Sequence, residues 1–250
     1  QNIGFSGTTS FDYLQLKPFT IGDTTISDSE NISQKRLDND YYVITLGLNY
    51  NTEDTSFNFG GLYSYYVGDH FGDLIWGQNL GEVLPNHRFY ENQGIKKEGS
   101  FFAKATQTLS EGFTGFIDLQ LRSIGYQVSG QIAGPASFSV DDNFVFFNPK
   151  AGLTYEVASG QKLYFSYAKA QREPNRTDYE NGNPKPEKLD DFELGWRINT
   201  PKLQAQTNVY WMEYKDQLVL TGAIDAVGSP IRQNVGKSRR LGIELEFKVN

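Results

Sequence analysis

The sequence lacks cysteine altogether and contains a single methionine among its 250 residues. Without thiols the chain can form neither a disulfide framework nor a thiolate metal site, and it has no cysteine nucleophile. It also lacks any run of about 18 apolar residues, so no transmembrane helix is predicted. Basic residues are in deficit, and the resulting net charge of −7 argues against a protein that binds a nucleic-acid backbone.

The chain is instead rich in residues that favour β-structure, with 15 Tyr, 18 Phe and 25 Gly. Its mean hydropathy of −0.51 is compatible with a membrane barrel, since only half of each barrel strand is apolar. The first residues, QNIGFSGTTSF, lack the basic start and apolar core of a signal peptide. We expect an exported protein whose signal has been removed to begin in this way.

The clearest pattern is a hairpin between residues 184 and 214. Apolar and polar side chains alternate there with a period of two, which places them on opposite faces of each strand. A turn at residues 199–202 separates the two strands. The apolar set is Phe192, Leu194, Trp196, Ile198, Leu203, Ala205, Thr207, Val209 and Trp211. The polar set includes Asp191, Glu193, Arg197, Gln204, Gln206, Asn208 and Tyr210.

Similar alternation predicts about ten strands, joined by connections of two lengths. Tight turns of about 3–5 residues alternate with polar connections of about 15–30 residues. We expect the long connections at 15–39, 68–98, 125–143, 170–184 and 217–234. This asymmetry is typical of an antiparallel transmembrane β-barrel with short periplasmic turns and long extracellular loops. A soluble sandwich with Greek-key connections would not keep it.

The predicted final strand, residues 241–249, shows how strongly the two faces differ. Its odd-numbered positions from Leu241 to Val249 are apolar, and Glu244, Glu246 and Lys248 lie opposite. A slip of one residue would turn these charges outward, and a lysine at the bilayer midplane costs roughly 2–4 kcal/mol. Periodicity alone predicts only a half-buried sheet. The alternation of turns and loops favours lipid on the apolar face.

Few side chains are spaced for catalysis. Glu244 and Glu246 lie about 7 Å apart along one strand face, which could suggest glycoside hydrolysis. We interpret them instead as lumen charges paired with basic residues on neighbouring strands. His70 and His87 fall in one polar connection and match no zinc pattern. The sequence therefore predicts no enzyme, no metal site and no cofactor.

Two long connections combine cations with aromatic residues, as expected of loops that bind a small molecule. An anionic ferric siderophore would favour arginine and aromatic side chains, and a sugar would favour Trp and Tyr. The candidate ligand contacts are Trp76, His87, Arg88, Phe89 and Tyr90 in one connection, and Arg172, Arg176 and Tyr179 in another, beside Asp178. The residues predicted to face the lumen are Asp118, Gln120, Arg122, Glu193, Arg197, Gln206, Asn208, Tyr210, Glu244 and Glu246.

The segments NPKPEKLDDFELGWR, NVYWMEYKDQLVLTG and QNVGKSRRLGIELEF resemble late barrel strands of TonB-dependent outer-membrane transporters. The upstream segments VGDHFGDLIW, NPKAGLTYE and LYFSYAKAQREPNRTDY are similar to the same family, in the forms found in the Bacteroides–Flavobacterium group. The resemblance covers most of the chain from about Tyr41 onward. No single motif is decisive, but their order and spacing together are fairly specific.

The resemblance implies a barrel of about 22 strands in the bacterial outer membrane, plugged by an N-terminal domain. Such a receptor captures a scarce nutrient, here an iron chelate such as a ferric siderophore, and imports it by plug displacement. Residues 1–250 would be a partial barrel, because we find no plug domain, TonB box or closing strand. The implied partners are membrane lipid, lipopolysaccharide, the TonB complex through the missing N-terminal part, the small-molecule ligand and a surface lipoprotein, but no nucleic acid.

Two other classes stay open on the residues alone. A complete ten-stranded outer-membrane enzyme of the protease type would match the length and the strand count. It would need a rim cluster of histidines and acids from several loops, whereas both histidines here fall in one connection. A secreted β-rich adhesin or carbohydrate-binding module is the second alternative, and it would be soluble without detergent.

Overall fold

The computed structural model describes residues 2–84, 86–134, 136–224 and 230–249. Ten of its strands form one antiparallel sheet in which chain neighbours pair, in the order β1-β4-β5-β6-β7-β8-β9-β10-β11-β12, and β2 and β3 form a separate hairpin. The strands are β1 Asn2–Ser10, β2 Phe19–Ile21, β3 Thr24–Ile26, β4 Asp28–Asn51, β5 Thr55–Gly77, β6 His87–Ser110, β7 Phe113–Gln131, β8 Ser137–Ala158, β9 Gln161–Arg172, β10 Glu187–Asn199, β11 Leu203–Ile224 and β12 Pro230–Val249. One short helix, α1 Arg176–Glu180, lies between β9 and β10. Among the described residues, no helix is long and apolar enough to cross a membrane.

The register of the β10–β11 hairpin confirms the alternation predicted from the sequence. Phe192 lies opposite Trp211, Glu193 opposite Tyr210, and Ile198 opposite Ala205. The turn falls at residues 200–202, between Asn199 and Leu203. Because the register runs without a shift along β10, the apolar and polar faces stay separate from Phe192 to Ile198.

The predicted long connections are wrong in extent, because most of their residues belong to strands. β5 continues to Gly77 and β6 begins at His87, so the connection between them is 78–86 rather than 68–98. β7 and β8 are joined through 132–136 instead of 125–143. In the predicted connection 217–234, residues 225–229 lie outside the described residues, and the rest belongs to β11 and β12. A transmembrane strand needs about 9–11 residues, so strands of 24 residues such as β4 extend well past that length.

The beginning of the chain also differs from the prediction. The first strand ends at Ser10, and Phe11 is fully buried in the turn that follows it. The polar stretch 15–39, in which we expected no strand, holds β2, β3 and the start of β4. At the start of β4 the buried positions are polar: Ser29, Asn31 and Ser33 are buried and alternate with exposed residues. This part of the strand therefore lacks the apolar–polar alternation on which the prediction depended.

The chain divides into two compact units. The first comprises residues 1–44, 63–98 and 124–143, and the second comprises 45–62, 99–123 and 144–250. The core of the first unit is formed by Leu14, Leu74 and Phe89, with Tyr13 and Tyr90 packed against it. The connection after β1 therefore folds onto its own unit and contributes the fully buried Leu14.

The second unit carries the apolar face that the sequence predicts. Leu194, Trp196, Ile243, Leu245 and Phe247 are all exposed, Leu245 to 71%. Among the described residues no second sheet or helix covers them, as expected of a face that contacts hydrocarbon.

Candidate ligand-binding loops and polar wall

The first group of predicted ligand contacts lies in the first unit, at the ends of β5 and β6. The side chain of Trp76 is 53% exposed. The Arg88 guanidinium lies 4.2 Å from the centre of the Phe71 ring and its side chain is 42% exposed. Its Nε donates a hydrogen bond to Asp73 Oδ1 at 3.1 Å and its Nη1 donates to Glu91 Oε1 at 3.2 Å. Arg88 is thus held in place by two carboxylates while one side stays accessible.

The other three members of this group are less accessible than Trp76 and Arg88. Phe89 is 1% exposed and belongs to the core, so its ring presents no open face to a ligand. Tyr90 packs on it edge-to-face with the ring centroids 5.2 Å apart. His87 is half-buried, and its Nε2 is enclosed without a hydrogen-bond partner among the described residues. This histidine lies at the first position of β6 and His70 lies within β5, so neither is in a loop.

The second group lies in the second unit, around the connection between β9 and β10. Arg172 pairs with Glu187 at 3.3 Å and its side chain is 53% exposed. Arg176 pairs with Glu180 at 2.7 Å within helix α1, and Tyr179 on the same helix is half-buried. Each predicted cation is therefore already matched by a carboxylate of the same segment. Of the two arginines, Arg172 has the more exposed side chain.

Asp178 lies in the same segment, but its role is to hold the loop. Its carboxylate is buried and accepts hydrogen bonds from the backbone N–H of Asn175 at 2.8 Å and from Arg232 Nε at 3.1 Å. Asn175 is the N-cap of α1, and its side chain accepts from the Asp178 N–H, which completes a capping box. Asp178 thereby joins α1 to β12.

A second set of hydrogen bonds holds the connection between β9 and β10, and the sequence does not predict it. The Asn234 side chain accepts from the Lys185 N–H at 2.8 Å, and its amide donates to the Lys185 carbonyl at 3.0 Å and the Asp216 carbonyl at 2.6 Å. The Glu187 carboxylate accepts from the Leu218 N–H at 2.9 Å. On the other side, Arg122 of β7 reaches Glu173 at 3.4 Å. The only signal in the sequence is an isolated Asn in QNVGKSRR, which does not identify its partners.

The predicted lumen residues of β7 share one face of the strand. Asp118, Gln120 and Arg122 alternate with apolar residues, of which Ile117 is 54% exposed on the opposite side. Gln120 Oε1 accepts a hydrogen bond from the Asn148 amide at 3.1 Å. This hydrogen bond joins the polar faces of β7 and β8.

The polar face continues across β10, β11 and β12. Arg197 Nε donates to Gln206 Oε1 at 3.2 Å, and the Tyr164 hydroxyl donates to Asn208 Oδ1 at 3.1 Å. Glu246 lies opposite Gln206 and Glu244 opposite Asn208. The direct neighbours of both glutamates on β11 are therefore amides, whereas we expected basic residues. We define the polar wall as the predicted lumen set of β10 to β12: Glu193, Arg197, Gln206, Asn208, Tyr210, Glu244 and Glu246.

The described residues contain no group of three or more histidine, cysteine or acidic side chains arranged to hold a metal ion. The side chains that converge are hydrogen-bonded amides, ion pairs and aromatic rings. Such a set can recognise a polar or charged small molecule by contact.

A sheet that is bare and apolar on one face and polar on the other is typical of an antiparallel transmembrane β-barrel of the outer membrane. A family model described as "TonB dependent receptor-like, beta-barrel" matches residues 1–250. The chain therefore belongs to the TonB-dependent receptor family, whose members are outer-membrane receptors and transporters rather than enzymes. No curated protein matches the chain.

Solved structures of the same fold include transporters for different cargoes. The copper transporter OprC has a TM-score of 0.69 at 16% identity over 88% of this chain and 36% of its own. The ferric citrate transporter FecA in the unliganded form has a TM-score of 0.60 at 14% identity over 88% of this chain and 34% of its own. The siderophore receptor PiuA from Acinetobacter baumannii has a TM-score of 0.60 at 17% identity over 89% of this chain and 36% of its own. The chain spans about a third of the length of these structures.

Proposed function

We propose that the chain is part of the barrel wall of a TonB-dependent transporter that imports an iron chelate of the ferric-siderophore type. The observation that carries the proposal is membership of the receptor family over residues 1–250. Several structures of the same fold are named for ferric citrate or siderophore uptake, which supports an iron chelate as the cargo. In this role extracellular loops capture the chelate, and displacement of a plug then opens the way inward.

The edges of the sheet support the proposal that further strands complete the barrel. Within the described residues, β1 and β12 each pair with one neighbour only. An open strand edge is not tolerated in hydrocarbon, because its backbone N–H and C=O groups have no partner there. The rest of the same receptor would supply the missing strands, to a total of about 22. The polar wall would then line the lumen and contact the plug.

Copper is the alternative cargo, since the transporter OprC shares the fold. Cu(I) is selected by thiolate and thioether ligands. The chain has no cysteine, and the thioether sulfur of its one methionine, Met212, accepts a hydrogen bond from the Tyr214 hydroxyl at 3.7 Å. Its own residues therefore favour an anionic chelate, met by exposed cations and aromatics, over a bare soft metal ion.

The proposed contacts in the first unit are Trp76 and Arg88, and Arg172 is proposed separately in the second unit. The test is uptake of radiolabelled ferric chelates by cells that make the full receptor, with and without a functional TonB complex. Loss of a charge-assisted contact in Arg88→Gln should weaken chelate binding about tenfold. The matched control is Arg36→Gln, because Arg36 also lies near Asp73, at 3.9 Å, but no aromatic ring of the described residues stacks on it. TonB-independent uptake, or binding of copper but no ferric chelate, would contradict the proposal.

A further inference from the structure

Three lysines lie side by side on the apolar side of the sheet in the second unit. Lys188 of β10 is directly opposite Lys215 of β11, and Lys215 is directly opposite Lys237 of β12. On the other side of Lys188, the register partner is Gln171 of β9. We call Lys188, Lys215 and Lys237 the lysine row.

The lysine row points to the same side as the bare apolar face. Lys188 lies four residues from Phe192, Lys215 four from Trp211, and Lys237 four from Leu241, in strands whose register is unbroken over these stretches. Side chains an even number of residues apart share a face. The apolar positions continue from Trp211 to Leu203, nine residues, which is about the length that spans a bilayer. The lysine row therefore lies just beyond the apolar band.

A row of charged residues lies between the apolar band and the lysine row, and its positive and negative charges are paired with one another. Asp190 pairs with Lys169 at 3.9 Å and accepts a hydrogen bond from the Tyr167 hydroxyl at 2.6 Å. Glu213 accepts hydrogen bonds from Arg239 Nε at 2.7 Å and from Trp211 Nε1 at 2.8 Å. Two acids and two bases thus neutralise one another between the apolar band and the lysine row.

The lysine row itself is left with an excess positive charge. Within the part of the chain that the structure describes, none of the three lysines forms an ion pair with a carboxylate, and the Glu213 carboxylate that attracts Lys237 is already paired with Arg239. Like charges directly opposite one another destabilise a sheet. The arrangement stands out in a chain of net charge −7. An anion that bridges neighbouring ammonium groups would remove this repulsion.

The position of the row indicates which anion it meets. Lys188 lies at the end of β10 next to the connection 173–186, opposite to the tight turn at 200–202. Tight turns mark the periplasmic side of such barrels, so the lysine row lies at the outer surface of the membrane. We propose that the lysine row binds the phosphate groups of the glycolipid of the outer leaflet, lipopolysaccharide, and anchors the receptor at that depth. Its acyl chains would cover the adjoining Phe192, Trp211 and Leu241.

The test compares the full receptor with two triple variants in purified form. K188Q/K215Q/K237Q removes the lysine row, and K162Q/K202Q/K248Q removes the same charge close to the tight turns. The probes are bisphosphorylated lipid A and the same lipid A without phosphate, each in mixed micelles. Each basic residue near an anionic surface contributes to the binding free energy. Loss of all three lysines should therefore weaken binding of the bisphosphorylated probe about a hundredfold. The control variant should bind like the unchanged receptor.

A charge-preserving variant, K188R/K215R/K237R, should keep the affinity for bisphosphorylated lipid A and shows that a weaker glutamine variant has lost charge rather than fold. Equal binding of both lipid A probes, or full affinity in K188Q/K215Q/K237Q, would overturn the proposal. So would displacement of lipid A by inorganic phosphate or phosphatidylglycerol at equal concentration, because the row would then bind phosphate without regard to the glycolipid.

Discussion

Arg232 Nε donates a hydrogen bond to Asp178 Oδ1 over 3.1 Å, although the two residues are 54 positions apart in the chain. The same carboxylate closes the capping box of α1 through the Asn175 N–H. One buried acid therefore fixes both the start of the helix and its attachment to β12. The conformation of the loop between β9 and β10 depends on this junction.

Asp178→Asn should loosen the loop without unfolding the sheet. The asparagine keeps the size of the side chain but removes the charge that pairs with Arg232 and weakens the cap. Loss of a charged partner at a buried site costs about 2 kcal/mol locally, so amide hydrogen exchange over residues 176–181 should accelerate roughly thirtyfold.

The control for this prediction is Glu180→Gln. Glu180 pairs with Arg176 within the same helix, but that pair is more exposed than Asp178. Exchange in the control should change little, since exposed helical pairs contribute only tenths of a kcal/mol. Equal acceleration in the two variants would show that Asp178 has no special role.

Gly195→Ala should destabilise the polar wall, because an aromatic ring lies directly on this glycine. Gly195 is opposite Tyr164, and an added Cβ would collide with the Tyr164 ring and hydroxyl. Displacing the ring would also break the hydrogen bond from the Tyr164 hydroxyl to Asn208. We expect a loss of about 1–3 kcal/mol in the free energy of unfolding, measured by urea titration of the receptor in lipid vesicles.

Gly47→Ala is the matched control, since Gly47 is also within a strand and a Cβ there would meet no atom within 4 Å. Its unfolding midpoint should stay close to that of the unchanged receptor. If Gly195→Ala were equally mild, the Tyr164 ring would be free to move aside and the close approach would carry no stability.

The sequence predicts strands with one bare apolar side well, and strands with both sides covered poorly. In β10 and β12 one side faces hydrocarbon, so the apolar and polar positions separate cleanly from Phe192 to Ile198 and from Leu241 to Val249. In residues 68–77 of β5 the alternation fades, because Gly72, Asp73 and Leu74 are buried in succession and both sides of the strand are covered there. The strand continues there because its neighbours still supply backbone hydrogen bonds.

The loop contacts could not be predicted for a different reason. Arg172 and Arg176 were recognisable as loop cations, but their pairing with Glu187 and Glu180 depends on how the connection folds. The sequence does not distinguish Phe89 from an exposed aromatic residue, because its burial depends on contact with Leu14, which belongs to the connection after β1. The resemblance to the Bacteroides–Flavobacterium subgroup stays a prediction.

Leu14→Ala should expose the connection after β1 to protease. Leu14 is fully buried against Leu74 and Phe89, and truncating a leucine in such a core costs about 2–5 kcal/mol. Cleavage within residues 11–27 of the purified receptor should become at least about thirtyfold faster, which is the factor that corresponds to about 2 kcal/mol. Leu84→Ala serves as control because Leu84 is 78% exposed. Cleavage at the same rate in both variants would mean that Leu14 does not hold this connection.

Leu245→Arg tests whether hydrocarbon covers the apolar face of β12. Leu245 is the middle position of the apolar set from Leu241 to Val249, and its side chain is exposed in the second unit. An arginine on the lipid face at the midplane costs roughly 2–4 kcal/mol. The variant receptor, once folded in lipid vesicles, should therefore unfold at a lower urea concentration than the unchanged receptor. Glu246→Arg places the same side chain on the opposite, polar face, where it should have a much smaller effect. If the two variants were equally stable in vesicles, or if Leu245→Arg were harmless, the face would be covered by water or protein rather than lipid.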